Sequence, residues 1–153
     1  MDDLRVLVVE DSPVHQRLLQ QAFHAVLPTT HLDVRPDAES AWQAVEAMRF
    51  QARALWPDFA IVDVGLPGAS GIDLVDRIRR IPLLDDWPLV VLTASSDPDD
   101  EAEARLADAT LFLQKPARGG WDRLVVGMLA QLGLHVAPRK APAPRLRNPS
   151  QRE

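Results

Sequence analysis

The chain has 153 residues, 46% of them hydrophobic and 25% charged, which is enough for one globular domain with a sizeable core. It contains no cysteine, which excludes disulfides, thiolate metal sites and cysteine catalysis. Its first residues lack the basic and apolar regions of a secretion signal, and no apolar run approaches the roughly 18 residues of a membrane span. We therefore expect a cytoplasmic protein without a membrane segment.

The net charge of −5 is unevenly distributed. Residues 138–153 carry five basic residues against one acidic residue, which leaves a charge of −9 on residues 1–137. An acidic body argues against nucleic-acid binding by the folded part. The basic segment contains four prolines and few apolar residues, so it cannot bury enough surface to order itself. We expect one domain over residues 1–137 and a basic, Pro/Arg-rich flexible tail over residues 138–153.

Short apolar runs alternate with helical patterns in the first third of the chain. Residues 4–9 are an apolar run typical of a parallel strand that is covered on both faces. The segment Ser12-Pro13 supplies an N-cap and a first-turn proline for a helix. The predicted inner face of this helix contains Val14, Leu18, Ala22 and Val26. Residues 31–35 are a weaker second strand, and Asp37 can cap a second helix. The predicted inner residues of that helix are Ala41, Val45, Met48 and Ala52.

The same alternation continues through the rest of the chain. Three further strands are predicted at residues 59–62, 89–92 and 110–113. The helices that follow them have predicted inner residues Ile72, Val75 and Ile78, then Ala102, Leu106 and Ala107, then Trp121, Leu124, Val125, Met128 and Leu132. Five strand–helix units with short loops predict an α/β fold, a doubly wound five-stranded parallel sheet with helices on both faces.

Polar residues occupy the carboxyl ends of four of the predicted strands. Glu10 and Asp11 follow the first strand, Asp63 the third, Thr93 the fourth and Lys115 the fifth. Open parallel sheets form their sites at these ends. Clustered carboxylates repel one another unless a cation lies among them, and hard oxygen ligands suit Mg²⁺. An ammonium and a hydroxyl can bind the oxygens of a phosphoryl group, and a carboxylate can accept one as nucleophile. Asp63 is the natural nucleophile of this set.

These residues resemble the receiver domain of bacterial two-component response regulators, a family with a flavodoxin-like fold. The matching segments are VVEDS at 8–12, IVDVGLPGASG at 61–71, VLTA at 91–94 and LQKP at 113–116. The resemblance covers about residues 4–133, and the distances of 30 and 52 residues from Asp63 to Thr93 and Lys115 fit the family. It implies that Mg²⁺ is held by Glu10, Asp11, Asp63 and the backbone carbonyl of Gly65. It also implies that a sensor histidine kinase or phosphotransfer protein phosphorylates Asp63.

The resemblance further implies how a phosphoryl group is bound and read. Thr93 and Lys115 would bind the group, the small Ala94 would leave access to it, and Phe112 would act with Thr93 as a switch. The Lys115–Pro116 peptide bond is cis in this family. A downstream protein would read the switch on the surface of the fourth helix, fifth strand and fifth helix, where two copies could also pair as a homodimer. We expect no DNA-binding domain after residue 137.

Some features depart from the shortest family members. The loop at residues 106–110 lacks the usual glycine, which indicates a different turn before the fifth strand. Residues 49–58, 81–88 and 95–98 resemble the short regulators that are paired with bacterial phytochromes. The histidines, which share no metal-ligand spacing, are predicted to lie on the surface or in helix packing: His15, His24, His31 and His135.

Three other functions compete with this interpretation. An aspartyl phosphatase needs a second acid two residues after its nucleophile, and that position is Gly65, so we do not expect an enzyme. A nucleotide- or flavin-binding module needs a turn of backbone N–H groups after the first strand, where this chain has an acidic segment closed by Pro13. A scaffold with a vestigial site stays open, because only a phosphorylation assay tests it.

Overall fold

Strands and helices alternate in the computed structural model, which describes residues 3–134. Within this range the strands are β1 (Arg5–Val9), β2 (His31–Arg35), β3 (Phe59–Asp63), β4 (Leu89–Thr93) and β5 (Leu111–Gln114). The α-helices are α1 (Pro13–Val26), α2 (Ala38–Met48), α3 (Gly71–Arg79), α4 (Pro98–Leu106) and α5 (Trp121–Gln131). Two 3-10 turns lie at Arg53–Leu55 and Pro82–Leu84. The predicted tail at 138–153 and the predicted domain end at residue 137 lie outside the described residues.

The strands form one parallel sheet in the order β2-β1-β3-β4-β5, which confirms the predicted fold class. The chain runs from β1 outward to the edge strand β2 and then returns to β3 on the other side of β1. This reversal opens a crevice between the carboxyl ends of β1 and β3, where sites form in such sheets. Glu10 directly follows β1 and Asp63 ends β3, so the topology places both carboxylates at the crevice.

Apolar layers cover both faces of the sheet, because successive strand residues point to opposite sides. Leu7 and Val9 of β1 pack with α2 and α3 on one face. Val6 and Val8 pack with α1 and α5 on the other face. The strands β3 and β4 are buried along their whole length, which explains their continuous apolar sequence. Within residues 3–134, no helix has the length and apolar character that crossing a bilayer requires.

Four residues that were predicted to face the core are exposed. Val14 lies in the first turn of α1 and is 63% exposed, and Ala52 lies beyond the end of α2 at Met48. Ala104 of α4 and Ala107 directly after the helix are buried, whereas Ala102 is exposed and Leu106 is 88% exposed. The predicted stripe was therefore wrong for Ala102 and Leu106 and is confirmed for Ala107. A nine-residue helix with one large apolar side chain has little intrinsic preference for a face, so packing of its alanines against the core sets its rotation.

The turn before β5 replaces the usual glycine with an aspartate. Asp108 has φ of 66°, in the left-handed region that glycine enters without steric cost. The amide of Ala109 donates to the carbonyl of Ala104 at 3.0 Å, which closes the end of α4. The guanidinium of Arg79 donates to the carbonyl of Asp108 at 2.8 Å and so ties this turn to α3.

Candidate functional site

The ammonium of Lys115 lies at the centre of the candidate site. It contacts Glu10 Oε2 at 2.7 Å, Asp63 Oδ2 at 3.1 Å and His15 Nδ1 at 2.9 Å. An ammonium has three N–H donors, so each contact uses one of them. The position of the side chain follows from the sheet, because the amide of Lys115 donates to the carbonyl of Thr93 at 2.7 Å across β4 and β5. Lys115 thereby connects the ends of β1, β3 and β5 through one buried charge.

Glu10 is a buried carboxylate with its oxygens in hydrogen bonds. Its side chain is 2% exposed, Oε1 accepts from the amide of Ser12 at 3.1 Å, and Oε2 accepts from Lys115. Burial raises the pKa of Glu10 above its usual 4.5, and the neighbouring charge of Asp63 adds to this. The hydrogen bonds from Lys115 and Ser12 oppose the rise in pKa. A further positive charge beside Glu10 would favour its ionised form.

Asp63 presents one carboxylate edge to Lys115 and is 8% exposed. Its Oδ1 accepts from the amide of Gly65 at 3.3 Å, and its Oδ2 accepts from Lys115. The backbone behind it is in close contact with α3, because a Cβ added at Gly71 would overlap the carbonyl oxygen of Asp63. Glycine is therefore required at position 71, for close approach rather than for a special φ. The sequence pattern matched this glycine without assigning it a role.

The carboxylates of Glu10, Asp11 and Asp63 form a cluster with oxygens within 4.8 Å of one another. Glu10 and Asp63 are buried, whereas Asp11 is exposed at the mouth. An open cleft of about 370 Å³ lies beside them and is also lined by Gly65, Thr93 and Lys115. All-oxygen donors that combine buried and exposed carboxylates fit a hard divalent cation which keeps part of its water shell. The donor set therefore suits Mg²⁺ or a similar ion.

Thr93 and Phe112 lie on the same face of the sheet. Thr93 is 3% exposed, and its hydroxyl accepts from the amide of Ser95 at 3.0 Å. Phe112 pairs with Val91, two residues before Thr93, and packs half-buried against the core on that face. Ala94 is exposed beside the cleft. The structure thus places the hydroxyl at the site and the aromatic ring one step behind it along the sheet.

The Lys115–Pro116 peptide bond is trans, since no cis bond occurs among residues 3–134. The cis bond that the family resemblance implied is therefore wrong for this structure. X–Pro bonds favour trans by roughly 0.5–1 kcal/mol unless the surroundings select cis. Lys115 reaches Glu10 and Asp63 from the trans bond.

His15 belongs to the site, although the sequence interpretation placed it on the surface or in helix packing. Its ring contacts Lys115 and lies 3.8 Å from Glu10, and it is tilted against the ring of Trp121 at a centroid distance of 5.7 Å. Side chains of a helix lean toward its N-terminus, so a residue in the first turn of α1 reaches back to the rim. This geometry could have indicated from the sequence that His15, four residues after Asp11, lies at the site. His24 and His31 are exposed as predicted.

The sequence matches one family model and a number of known proteins. The sequence model of the family described as "Response regulator receiver domain" matches residues 6–123. The chain is 30% identical over 115 residues to the probable methanogenesis regulatory protein FilR2 of Methanothrix harundinacea, and the match covers 75% of this chain and 74% of FilR2. It is 33% identical over 118 residues to the two-component response regulator PhoP of Pseudomonas aeruginosa, covering 74% of this chain and 45% of PhoP. The chain thus spans about half the length of PhoP.

Solved structures give the same fold. The phosphorylated cyanobacterial phytochrome response regulator RcpA aligns with a TM-score of 0.74 at 23% identity, over 90% of this chain and 98% of RcpA. The Mn²⁺-bound response regulator Rcp1 aligns with a TM-score of 0.72 at 23% identity, over 90% of this chain and 99% of Rcp1. At this identity the likeness concerns the fold.

Proposed function

The chain belongs to the family of response regulator receiver domains, and from this premise we propose that Asp63 is its phosphoacceptor in two-component signalling. The observation that carries the proposal is the location of Asp63. It ends β3, lines the open cleft and contacts the ammonium of Lys115 at 3.1 Å. A buried carboxylate beside a fixed cation is oriented for nucleophilic attack on a phosphoryl group whose charge the cation offsets.

The transfer takes a phosphoryl group from a phosphohistidine of a sensor histidine kinase or phosphotransfer protein. An oxygen of Asp63 forms a P–O bond as the donor's P–N bond breaks, and the leaving imidazole keeps the electron pair of that bond. Lys115 turns one N–H from Asp63 Oδ2 to an oxygen of the phosphoryl group and so stabilises its charge. Thr93 provides a hydroxyl at the same rim that can donate to another of these oxygens.

A divalent cation, which we propose to be Mg²⁺, would be held by Glu10, Asp11, Asp63 and the carbonyl of Gly65. The clustered carboxylate oxygens support this assignment, as does the Mn²⁺ ion in the related Rcp1. When bound, the ion supplies positive charge that offsets carboxylate repulsion and the charge of the transferring group. Lys115 already supplies one positive charge to Glu10 and Asp63.

The signal leaves the site through β4 and β5. A hydrogen bond from Thr93 to the phosphoryl group would draw its side chain toward the cleft, and Phe112 packs on the same face of the sheet one step away. We propose that this pair changes the surface of α4, β5 and α5, which a downstream protein or a second copy reads. Leu106, at the end of α4, is exposed. Equal light-scattering masses of the phosphorylated and unphosphorylated protein would exclude phosphorylation-linked pairing.

The test is phosphorylation by a small acyl phosphate with Mg²⁺, followed by intact mass and peptide mapping. The wild-type protein should gain one phosphoryl group on Asp63. Asp63→Asn should gain none, because it keeps the shape of the side chain and removes the nucleophile. Asp76→Asn, on α3 away from the cleft, is the matched control and should be labelled like wild type. Label that persists in Asp63→Asn at another residue would refute the assignment.

A further inference from the structure

We propose that His15 is a positioning residue for Lys115, and this inference rests on the proposed role of Asp63 as phosphoacceptor. The observation is the 2.9 Å contact between Lys115 Nζ and His15 Nδ1, which joins α1 to the end of β5 across 100 residues of sequence. None of the segments that carry the family resemblance includes position 15. The residue therefore adds a contact to the site beyond the matched set.

The direction of this hydrogen bond follows from the chemistry of its two partners. An ammonium group donates and has no lone pair to accept with. Nδ1 of His15 must therefore be the unprotonated ring nitrogen, and the proton of the neutral ring lies on Nε2. The ring of Trp121 packs against the imidazole, whose side chain is 33% exposed. His15 thus offers Lys115 a fixed acceptor at the wall of the cleft.

A third acceptor matters because phosphoryl transfer changes the partners of Lys115. In the free site the ammonium is shared by Glu10, Asp63 and His15. When Lys115 gives one N–H to the phosphoryl group, Glu10 and His15 keep the other two. A lysine side chain loses much rotamer entropy when it is fixed in one position. Without His15, Lys115 occupies the productive position for a smaller part of the time, and transfer is slower.

The experiment compares two variants that differ in one acceptor atom. His15→Asn places an amide oxygen close to where Nδ1 lies, so it should keep the contact with Lys115. His15→Leu fills similar space without an acceptor. The measurement is the initial rate at which intact mass shows phosphorylation by a small acyl phosphate in Mg²⁺. A hydrogen bond to a charged group is stronger than one between neutral groups, and water can partly replace it at this exposure. We expect His15→Leu to react about five- to tenfold more slowly, and His15→Asn to stay within about twofold of wild type.

Each outcome decides the inference. Equal rates for wild type and His15→Leu would refute it, as would equal losses in both variants, because the ring rather than its acceptor would then matter. Nitrogen-15 NMR of the unphosphorylated wild type is a second readout. It should show an unprotonated Nδ1 and a protonated Nε2 in His15, and the opposite tautomer would refute the contact itself. If wild-type protein takes no phosphoryl group while the tautomer is as expected, the proposed function fails, and the positioning role of His15 in phosphoryl transfer fails with it.

Discussion

At the scale of single residues, the backbone around Asp63 is as constrained as its side chain. The carboxylate accepts from Gly65 and Lys115, while the carbonyl lies directly beneath the first residue of α3. The amide of Gly71 donates to the carbonyl of Val64 at 3.1 Å, so α3 begins in contact with the strand end itself. The position of the proposed nucleophile therefore depends on the absence of a Cβ atom at Gly71.

Gly71→Ala tests this constraint. The new Cβ would overlap the carbonyl of Asp63, so either α3 or the end of β3 must move. Overpacking of this kind costs about 1–3 kcal/mol, and we expect the free energy of unfolding to fall by that amount with a slower phosphorylation of Asp63. Denaturant titration and the intact-mass assay measure the two effects.

Gly127→Ala is the control for this substitution. Gly127 lies in α5, with nothing within 4 Å of an added Cβ. Alanine in a helix interior is favoured over glycine by about 0.5–1 kcal/mol, so this variant should be more stable than wild type. An unfolding free energy for Gly71→Ala that equals or exceeds that of wild type would contradict the close approach.

At the scale of elements, the helices that follow β1, β2, β3 and β4 each begin with a side-chain cap. The caps are Ser12, Asp37, Ser70 and Asp97, and each accepts from a backbone amide in the first turn of its helix. By contrast, α5 is preceded by Gly120, which has φ of 84° and provides no side-chain cap. The buried residues Trp121, Val125, Met128 and Leu129 hold α5 instead. The sequence therefore indicates where a helix begins when a side chain caps it. The start of α5 depends on packing instead.

The cap of α2 should be sensitive to pH. The amide of Ser40 donates to Asp37 Oδ1 at 2.7 Å, and this hydrogen bond lowers the pKa of Asp37 below its usual 3.8. A depressed pKa means that the folded state favours the carboxylate. The stability from this group is therefore present above pH 3.8 and is lost as the pH falls through the folded pKa.

Asp37→Asn isolates this effect, because an amide oxygen still caps the helix but does not titrate over this range. We expect the variant to be close to wild type in thermal stability at neutral pH. The difference between the two proteins should shift in favour of the variant as the pH falls below about 3.8. Thermal unfolding across a pH series measures this difference. Parallel curves for the two proteins at all pH values would contradict the assignment of the cap.

At the scale of the whole molecule, the carboxyl ends of the strands carry an acidic cluster whose charge is only partly offset by Lys115. The cluster contains the carboxylates of Glu10, Asp11 and Asp63, and the ammonium of Lys115 contacts two of them, those of Glu10 and Asp63. Burial already raises the pKa of Glu10, because ionising it there is unfavourable. A cation that binds this cluster only in the folded state must raise the stability of the entire domain.

Mg²⁺ should therefore raise the melting temperature in the absence of any phosphodonor. A ligand at about 100 times its Kd stabilises a fold by about 2.7 kcal/mol, which corresponds to several degrees for a domain of this size. Asp11→Ala should remove the increment, because Asp11 is the exposed carboxylate of the cluster. Asp73→Ala, an exposed residue of α3 outside the cluster, should keep it. An undiminished increment in Asp11→Ala would place the cation elsewhere.

The sequence by itself determined the fold class and placed several polar residues at the carboxyl ends of the strands. Short, continuous apolar runs predict parallel strands that are buried on both faces. Parallel strands bring their carboxyl ends to the same side of the sheet. Glu10, Asp63, Thr93 and Lys115 could therefore be assigned to one rim from their positions after these runs. That inference needs no interatomic distances, because the topology of the sheet brings these residues to the same rim.

Only the tertiary structure decided the contacts that depend on how separate elements meet. The bond between His15 and Lys115 joins α1 to β5, and the contact of Gly71 with Asp63 depends on how closely α3 approaches β3. The inner face of α4 is likewise set by its neighbours, because a helix with Leu106 as its one large apolar residue has little amphipathic signal. Local periodicity reports which residues prefer burial, whereas these features arise from side-chain reach and interatomic contact across the fold.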